Sequence, residues 1–484
     1  MALKLFNTLS RSIQEFTPLD SDGKKVGMYC CGPTVYDFAH IGNWRTFVFA
    51  DLVRRYLEFK GYAVTHVMNI TDVEDKIIKR VSETKTSLRE FTGKYETAFF
   101  VDLKTLNCLE PHQTPRATGY IAEIIALIEK LVARGIAYQA ADGSVYFSIE
   151  KYQGCGCTYG RLLKLNFEEL RPGERTKSDE YAKESVTDFA LWKARVPDDG
   201  DIFWPSPWGE GRPGWHIECS AMSMKVLGES FDLHLGGEDL KFPHHEDEIA
   251  QSEGATGKPF AKYWLHGAFL LVEGKKMSKS LGNFFTLRDL LAKGFTGREI
   301  RYLLLTAHYR ETFNFTLDGL QGARAALARI DECLGKLREI GTPASGPAQR
   351  IVSGKLEHAG SETGAPKGLL NNFTSALDED LNISAAWGAV FEWIRELNRR
   401  MAESSLSTTD AAAALAAWNK IDSVLGIGTP AEAEAPAEIV ALLEARQAAR
   451  QAKDFKKSDA IRDELKAKGW TIEDTTQGSK LKKI

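Results

Sequence analysis

The stretch VGMYCCGPTVYDFAHIGN (residues 26–43) decides the fold of this 484-residue chain. Its apolar start, 26–31, is typical of a short buried strand, and the Gly-Pro pair that follows predicts a turn. A helical pattern then covers 44–59, and a second strand-like run covers 63–70. This strand–helix–strand order predicts a parallel sheet in an α/β fold. Because a helix N-terminus presents unpaired N–H groups, His40-Ile41-Gly42-Asn43 at the start of that helix can bind phosphate.

A second motif, Lys276-Met277-Ser278-Lys279-Ser280, follows a third strand-like run at 262–272 and lies between Gly274 and Gly282. Two lysines on a glycine-flanked loop can reach the phosphates that the first motif holds. Taken singly, each motif is also compatible with a solvated loop or with chance. Together, and in this order, they predict a site that binds ATP and stabilises the charge on its phosphates.

The composition, with 26% charged and 43% hydrophobic residues, is that of a globular protein. No apolar run is long enough to span a membrane, and residues 1–11 lack the apolar core of a signal peptide. The seven cysteines form no regular disulfide framework. We therefore expect a cytoplasmic protein without a membrane partner, whose cysteines are buried thiols or metal ligands.

The net charge of −4 conceals an asymmetry between the end of the chain and the rest. Residues 444–484 carry 11 Lys and Arg against 7 Asp and Glu, which is +4 and leaves −8 for the remainder. A basic end suits contact with RNA phosphates, although a solvated helical tail has the same charge.

Shifts in composition divide the chain into five predicted segments. The insertion at 115–207 contains an amphipathic helix (120–134) and a hairpin (138–149), so it is predicted to be a subdomain rather than a loop. Alanine-rich helical patterns follow at 318–340, 368–380 and 383–405, and the stretches 341–367 and 428–436 are typical of linkers. The segments are a catalytic α/β domain in two halves (1–114 and 208–317), the inserted connective subdomain (115–207), a helical bundle (318–427) and a small C-terminal unit (437–484).

A cluster of metal-binding residue types lies in Phe242-Pro243-His244-His245-Glu246-Asp247-Glu248. Proline suits the first turn of a helix, and acidic residues suit the positive end of its dipole. If the helix starts at Pro243, His244 and Glu248 are one turn apart and share a face. The alternative is an acidic helix start capped by a histidine.

Cys219 and Cys31 would complete a set of two thiolates, one imidazole and one carboxylate, which suits zinc. The alternative for both cysteines is a buried thiol. Neighbouring strand residues point to opposite faces, so at most one of Cys30 and Cys31 can be a ligand. Cys155-Gly156-Cys157 is a rival pair, but it has no further ligand nearby in the sequence and is interpreted as a loop.

Six segments with specific motifs cover most of 27–77 and 189–285: MYCCGPTVYDFAHIGN (28–43), NITDVEDKI (69–77), GWHIECSAM (214–222), GGEDL (236–240), FPHHE (242–246) and KMSKS (276–280). In this order they resemble the class I aminoacyl-tRNA synthetases, and within them the cysteinyl-tRNA synthetase family. The insertion and the helical region match that family by position more than by residue.

The resemblance implies a Rossmann-like catalytic domain with an insertion, followed by an α-helical bundle and a small C-terminal tRNA-binding unit. The first motif usually ends in His, and Asn43 departs from that pattern but can still donate a hydrogen bond. By residue type alone, a loop cap for Asp239 and a core position for Trp215 stay open. The implied site residues are Cys31, Cys219, His244 and Glu248 for one zinc ion; His40, Asn43, Lys276 and Lys279 for catalysis; His40, Asp239, Lys276 and Lys279 for ATP; and Trp215, Thr71 and His234 for the substrate.

The activity that the resemblance implies is ATP-dependent activation of L-cysteine and its transfer to the 3′ end of tRNA(Cys), by a monomer, with Mg²⁺ arriving on ATP. Zinc would select cysteine because a coordinated thiol is deprotonated, whereas the hydroxyl of serine offers no comparable anion. Four protein ligands would close a tetrahedral site, so either zinc becomes five-coordinate or Glu248 moves away when cysteine binds.

The basic end would read the anticodon by charge and base stacking, through Lys453, Lys456, Lys457, Arg462, Lys466, Lys468 and Trp470. Two rival functions stay open from the sequence. One is a cysteine-activating ligase with a small amine acceptor, and the other is an inactive paralogue that only binds RNA.

Overall fold

The first part of the chain forms one half of a parallel sheet. The computed structural model describes residues 2–163, 188–341, 368–428, 436–452, 454–475 and 478–483. A short antiparallel hairpin precedes two strands that pair in parallel, with Val26 opposite Val64, as the strand–helix–strand pattern predicted. The elements are β1 (Lys4–Asn7), β2 (Ser12–Glu15), β3 (Lys25–Cys30), α1 (Ile41–Phe59), β4 (Ala63–Met68), α2 (Asp75–Thr84) and α3 (Leu88–Thr105).

The inserted region builds a separate antiparallel sheet with its own hydrophobic core. The amphipathic helix and the hairpin lie close to their predicted positions, and the strand that begins at Phe189 adds a buried strand where the sequence suggested loops. The last strand of this sheet lies wholly after residue 207, the predicted end of the insertion. Residues 164–187 lie outside the described part. The elements are α4 (Ile121–Ala133), β5 (Ala137–Gln139), β6 (Val145–Phe147), α5 (Ile149–Gly154), β7 (Phe189–Ala194) and β8 (Gly211–Pro213), with strand order β5–β6–β7–β8.

Four further elements complete the parallel sheet. They are α6 (Trp215–Leu227), β9 (Phe231–Gly237), α7 (Glu246–Thr256) and β10 (Ala261–Gly267), and the strand order is β10–β9–β3–β4. All residues of β9 are buried, including Asp232 and His234. The sequence did not predict this strand, because these two polar residues interrupt its apolar pattern. The carboxyl ends of the four strands share one edge of the sheet, where α/β proteins bind their ligands.

A small mixed sheet carries the second motif and leads into the helical region. The predicted strand at 262–272 is divided between β10 and a strand of this second sheet. The predicted helices of the bundle are confirmed within a few residues, α13 was not predicted, and residues 342–367 lie outside the described part. The elements are β11 (Leu270–Val272), β12 (Lys275–Lys276), α8 (Leu287–Ala292), α9 (Gly297–Leu304), β13 (Phe313–Phe315), α10 (Leu317–Gly341), α11 (Leu369–Asp378), α12 (Ile383–Ala402) and α13 (Thr408–Leu425).

The chain divides into two compact units, residues 1–427 and 428–484. The second unit contains α14 (Ala437–Gln451), α15 (Phe455–Ala467), β14 (Trp470–Thr475) and β15 (Gly478–Lys483). Trp470 packs with Ile461 and Leu465 in the core of this unit, so it does not offer a ring face to RNA as the sequence suggested. Residues 429–435 and Lys453 lie outside the described part. Among the helices of the described residues, none is long and apolar enough to cross a membrane.

Candidate metal centre and nucleotide site

The four metal ligands predicted from the sequence meet at one point beneath the edge of the parallel sheet. The ligand atoms of Cys31, Cys219, His244 and Glu248 all lie within 4.8 Å of one another, and all four residues are buried. Cys31 Sγ is 4.0 Å from Cys219 Sγ and 3.7 Å from Glu248 Oε1. His244 Nε2 is 3.1 Å from the same Glu248 oxygen.

Three elements bring these residues together. Cys31 directly follows β3, and it packs with Cys219 of α6, whereas Cys30 points into the main core, as the strand alternation predicted. Glu248 lies in the first turn of α7. His244 lies in the separate turn Lys241–His245 just before that helix, and the predicted one-turn relation to Glu248 is nevertheless present.

The donor set and its spacing fit zinc. Two ligands at the Zn–S distance of about 2.3 Å in a tetrahedral site are about 3.8 Å apart, close to the separation of the two sulfurs here. The hydrogen bond with Cys31 lowers the pKa of the Cys219 thiol, with a further contribution from His244 and against the effect of burial, whereas burial raises the pKa of the Cys31 thiol. The cluster therefore already favours one thiolate, the form that binds a metal.

A second set of donors overlaps the first, and the sequence did not predict it. Cys31, His234, His245 and Glu248 also lie within 4.8 Å of one another. His234 Nε2 is 2.8 Å from Glu248 Oε2, and His245 Nε2 is 3.3 Å from Cys31 Sγ. Since this set contains one thiol rather than two, the set with Cys219 suits a borderline-soft ion better. Cys155 and Cys157 belong to neither donor set of the described residues.

The residues predicted to bind the substrate differ in burial, and two of them, Trp215 and His234, contact members of this cluster. The ring of Trp215 lies 4.5 Å from that of His244 and is 39% exposed, so Trp215 is not a core residue. Thr71 is buried and accepts a hydrogen bond from the Asn69 amide at 3.2 Å. His234 is fully buried behind Glu248.

A cavity of about 80 Å³ next to Trp215 is lined in part by His216 and Glu218. Both residues belong to the GWHIECSAM stretch, but residue type alone did not distinguish them from its structural positions. Gly214 is needed there, because a Cβ at this position would lie 2.1 Å from the backbone oxygen of Ala190 in β7. The close approach of the inserted subdomain thus fixes the start of α6.

The first motif caps its helix through a reciprocal pair of hydrogen bonds. His40 Nδ1 accepts from the backbone N–H of Asn43 at 3.2 Å, and Asn43 Oδ1 accepts from the backbone N–H of His40 at 3.1 Å. Burial lowers the pKa of His40, although the charge of Asp239 opposes this shift. The imidazole is therefore neutral at pH 7, and its proton lies on Nε2, on the opposite side from the cap.

The structure brings the second motif next to the first. The backbone N–H of Ile41 donates to Phe285 O at 2.9 Å, and Lys279 Nζ forms an ion pair with Asp37 Oδ2 at 2.9 Å. Lys276 and Lys279 are both exposed. Asp37 was not predicted as a site residue, although it lies inside the stretch that was quoted first. Lys279 therefore lies beside the first motif, and a cation close to a helix N-terminus suits phosphate binding.

Comparisons with known proteins identify the family of this chain. Residues 17–325 match the family model described as tRNA synthetases class I (C) catalytic domain, residues 372–429 match the DALR domain, and residues 432–479 match the Cysteinyl-tRNA ligase anticodon binding domain. The chain is 48% identical to the cysteine–tRNA ligase of Chlamydia muridarum over 100% of both chains. It is 44% identical to that of Protochlamydia amoebophila, over 99% of this chain and 98% of that protein.

Solved structures show the same fold at low sequence identity. A methionyl-tRNA synthetase of Mycobacterium tuberculosis with methionyl-adenylate has a TM-score of 0.58 at 14% identity, covering 84% of this chain and 88% of that one. A ternary LeuRS–tRNA complex of Agrobacterium radiobacter has a TM-score of 0.59 at 12% identity, covering 85% of each chain. Combined with the family models and the full-length relatives, the fold leads to one conclusion: the chain belongs to the cysteine–tRNA ligase family of class I aminoacyl-tRNA synthetases.

Proposed function

We propose that the chain is a cysteine–tRNA ligase, which activates L-cysteine with ATP and transfers it to the 3′ end of tRNA(Cys). The observation that carries this proposal is the buried donor set around Cys219, together with the ion pair of Lys279 and Asp37 that joins the two motifs. Its full-length similarity to proteins of that name supports the same activity. In this proposal the protein acts as a monomer in the cytoplasm.

We assign one zinc ion to Cys31, Cys219, His244 and Glu248. These residues would hold zinc, whose chemistry would favour the thiolate form of the substrate sulfur and so distinguish cysteine from serine without an editing site. Glu248 divides its two oxygens between the cluster and His234. His234 can therefore bind one oxygen of the carboxylate whether the other oxygen stays a metal ligand or withdraws when the substrate enters.

Around the substrate, Trp215 forms a wall over His244 and limits the size of the side chain that fits. Thr71, on the loop after β4, offers a hydroxyl to the amino acid. Asp239 follows β9 and its charge acts on His40, so it lies between the two substrates. It is assigned to the ribose of ATP or to the ammonium group of cysteine.

The first step joins the cysteine carboxylate oxygen to the α-phosphorus of ATP and breaks the bond to pyrophosphate. This chain supplies positioning and charge stabilisation for the step rather than a nucleophile. His40 donates a hydrogen bond from its Nε2–H group to a phosphate oxygen, and the backbone N–H of Asn43 holds the His40 ring in the required rotamer. Lys279 exchanges Asp37 for the phosphates and works with Lys276 and the Mg²⁺ carried by ATP.

In the second step the 3′ ribose hydroxyl of tRNA attacks the adenylate carbonyl and releases AMP. In this proposal the chain comprises a catalytic domain (1–114 and 208–317), the insertion (115–207), the helical bundle (318–427) and the terminal unit (437–484). The terminal unit binds the anticodon. Because Trp470 is buried, the aromatic contact in that unit is assigned to Phe455, which is 63% exposed next to Lys456 and Lys457.

Cysteine-dependent exchange of pyrophosphate into ATP tests the first step. Zinc-loaded protein is expected to catalyse exchange with cysteine and not with serine, and the absence of exchange with cysteine would reject the enzyme. A Lys279→Ala variant is the matched control for the ATP site, since it removes one phosphate contact but leaves the metal cluster intact.

The acceptor distinguishes the proposal from a ligase that uses a small amine. Transfer of labelled cysteine to tRNA is expected, with none to an amino sugar. The reverse result, or full tRNA charging after deletion of residues 437–484, would contradict the assigned partner or the assigned role of the terminal unit.

A further inference from the structure

A chain of polar contacts leads from the metal cluster into the inserted subdomain. His244 Nδ1 lies 2.9 Å from His216 Nδ1, and His216 Nε2 lies 3.4 Å from Asp247 Oδ2. The other oxygen of Asp247, Oδ1, accepts a hydrogen bond from the hydroxyl of Tyr159. His244, Asp247 and Tyr159 are all buried, and His216 is partly buried at the wall of the cavity next to Trp215.

The direction of the hydrogen bonds follows from the role of His244. Its Nε2 faces the other ligands, so a metal bound there leaves the proton on Nδ1, which must donate to His216 Nδ1. His216 then carries its own proton on Nε2, the atom that faces Asp247. A carboxylate is the partner that this order needs, because ionised Asp247 only accepts hydrogen bonds.

The segment that contains Tyr159 is fixed on the same helix as Glu248. Glu246, in the first turn of α7, accepts backbone hydrogen bonds from Gly160 at 2.7 Å, Arg161 at 3.0 Å and Leu162 at 2.9 Å. Arg161 also forms an ion pair with Glu253 of that helix. Tyr159 therefore cannot shift relative to Asp247 without breaking several buried contacts.

We propose that His216, Asp247 and Tyr159 are positioning residues that set the orientation of His244 as a metal ligand. The affinity of the catalytic domain for zinc then depends on a residue of the inserted subdomain. This role rests on the proposed metal site. A metal-bound histidine is usually oriented by a hydrogen bond from its second ring nitrogen, and loss of such a partner lowers metal affinity or activity by about 10–100-fold.

Zinc affinity of the full-length protein, measured by competition with a chromophoric chelator without cysteine, ATP or tRNA, tests the proposal. Asp247→Asn turns an N–H group toward His216 Nε2 and opposes the required order of donors, so affinity should fall by about 10–100-fold. Tyr159→Phe removes one hydrogen bond to Asp247 and should produce a smaller fall in the same direction.

The inserted subdomain offers a matched control in a second buried Tyr–Asp pair. Tyr138 donates to Asp188 Oδ2 at 2.9 Å, and neither residue belongs to the chain of contacts that reaches His244. Tyr138→Phe and Asp188→Asn make the same chemical changes and should leave zinc affinity unchanged. Equal affinity in the Tyr159 and Tyr138 variants would overturn the proposal, even if Asp247→Asn did not fold.

Two further measurements separate positioning from a general loss of stability. Zinc should raise the melting temperature of Tyr159→Phe less than that of Tyr138→Phe, because ligand stabilisation follows affinity. In pyrophosphate exchange, KM for cysteine should rise while KM for ATP stays constant. If the wild type lacked exchange but the zinc affinities differed as expected, the proposed activity would fail and the positioning role would stand.

Discussion

At the scale of single residues, His40 shows how one side chain can serve the fold and the reaction. Its Nδ1 caps α1 by accepting from the backbone of Asn43, which leaves the Nε2 proton directed to the other side. In return, Asn43 Oδ1 accepts a hydrogen bond from the backbone N–H of His40. A His at position 43 would have to supply this acceptor through a ring nitrogen, whereas Asn supplies it from a shorter side chain.

Asn43→Ala is expected to weaken both the helix and the first reaction step. The loss of the acceptor at the helix start should lower the free energy of unfolding by about 1 kcal/mol. It should also lower the rate of pyrophosphate exchange, because the backbone N–H of His40 loses its acceptor, although the bond from the backbone of residue 43 to the His40 ring remains. Ser87→Ala removes the cap of α3 and is the control. It should cost similar stability in denaturant unfolding with normal exchange, and equal exchange rates in the two variants would argue against a role for Asn43.

Cys219→Ala is expected to abolish stoichiometric zinc binding, because it removes one of two thiolates from the cluster. Cys333→Ala is the control, since Cys333 is equally buried but lies in the helical bundle. Metal content after dialysis, measured by mass spectrometry, should be close to one zinc per chain in the control and near zero in Cys219→Ala. Full retention of zinc without Cys219 would refute the ligand set.

The residues of the candidate site were predictable where a short motif carries the chemistry. The four proposed zinc ligands and the two lysines were named from such motifs. His245, His216, Asp37 and Glu218 were missed, because their roles arise only when distant segments meet. His216 and His244 are 28 positions apart, and no sequence pattern predicts the contact between their rings.

At the scale of elements, one buried arginine joins three parts of the first unit. Arg301 of α9 is fully buried and forms an ion pair with Asp51 of α1. Its Nε donates to Leu425 O at the end of α13, and its Nη1 donates to Leu106 O after α3. These contacts attach the helical bundle to the helix that carries the first motif.

Asp51→Asn is expected to lower the free energy of unfolding of the first unit by about 3–5 kcal/mol, because Arg301 would stay buried without its counter-charge. The control is Asp331→Asn, which breaks the half-exposed pair of Arg298 and Asp331 and should cost at most about 1 kcal/mol. Urea unfolding at pH 7 measures both. Equal costs would mean that burial of the Arg301 pair does not matter.

The same pair predicts a dependence on pH. Burial acts to raise the pKa of Asp51, but Arg301 and Arg55 outweigh it and hold the pKa below its usual range. A lowered folded-state pKa contributes stability above the ordinary value of about 3.9, and this contribution is lost as pH falls through the folded-state pKa. The difference between wild type and Asp51→Asn should therefore shrink below about pH 4. A constant difference at all pH values would contradict this.

Helices and strands were predictable from the sequence where a continuous apolar run or a clear amphipathic pattern marks them. The apolar runs of β3 and β4 and the amphipathic pattern of α4 were found close to their true bounds. Strand β9 was missed because tertiary hydrogen bonds, rather than apolar character, satisfy its buried polar side chains, such as Asp232 on the Gly27 backbone. The division of 262–272 between two sheets follows from pairing partners that lie far away in the sequence.

At the scale of the whole molecule, the basic end of the chain belongs to the smaller of the two compact units. The boundary at residue 428 separates a large unit from a small one that holds most of the basic tail. The small unit has its own core, in which Ile439, Ile461 and Leu465 pack around Trp470. Its lysines at the start of α15 are exposed together with Phe455, which is the arrangement that single-stranded RNA requires.

A double substitution in the full chain, Lys456→Glu with Lys457→Glu, tests this division of labour. The change leaves the core of the small unit intact, so pyrophosphate exchange should be normal, while KM for tRNA in charging should rise. The salt dependence of tRNA binding should also weaken, by roughly 0.7–0.9 in the log–log slope for each phosphate that is no longer neutralised by a lysine.

The matched control is Lys24→Glu with Lys25→Glu, an exposed lysine pair at the start of β3. The control should leave KM for tRNA and the salt slope unchanged, because the start of β3 lies at the opposite end of the strand from the carboxyl edge of the sheet. If both double variants bound tRNA like the wild type, the basic tail would be a solvated surface, and recognition of tRNA would have to lie in the first unit.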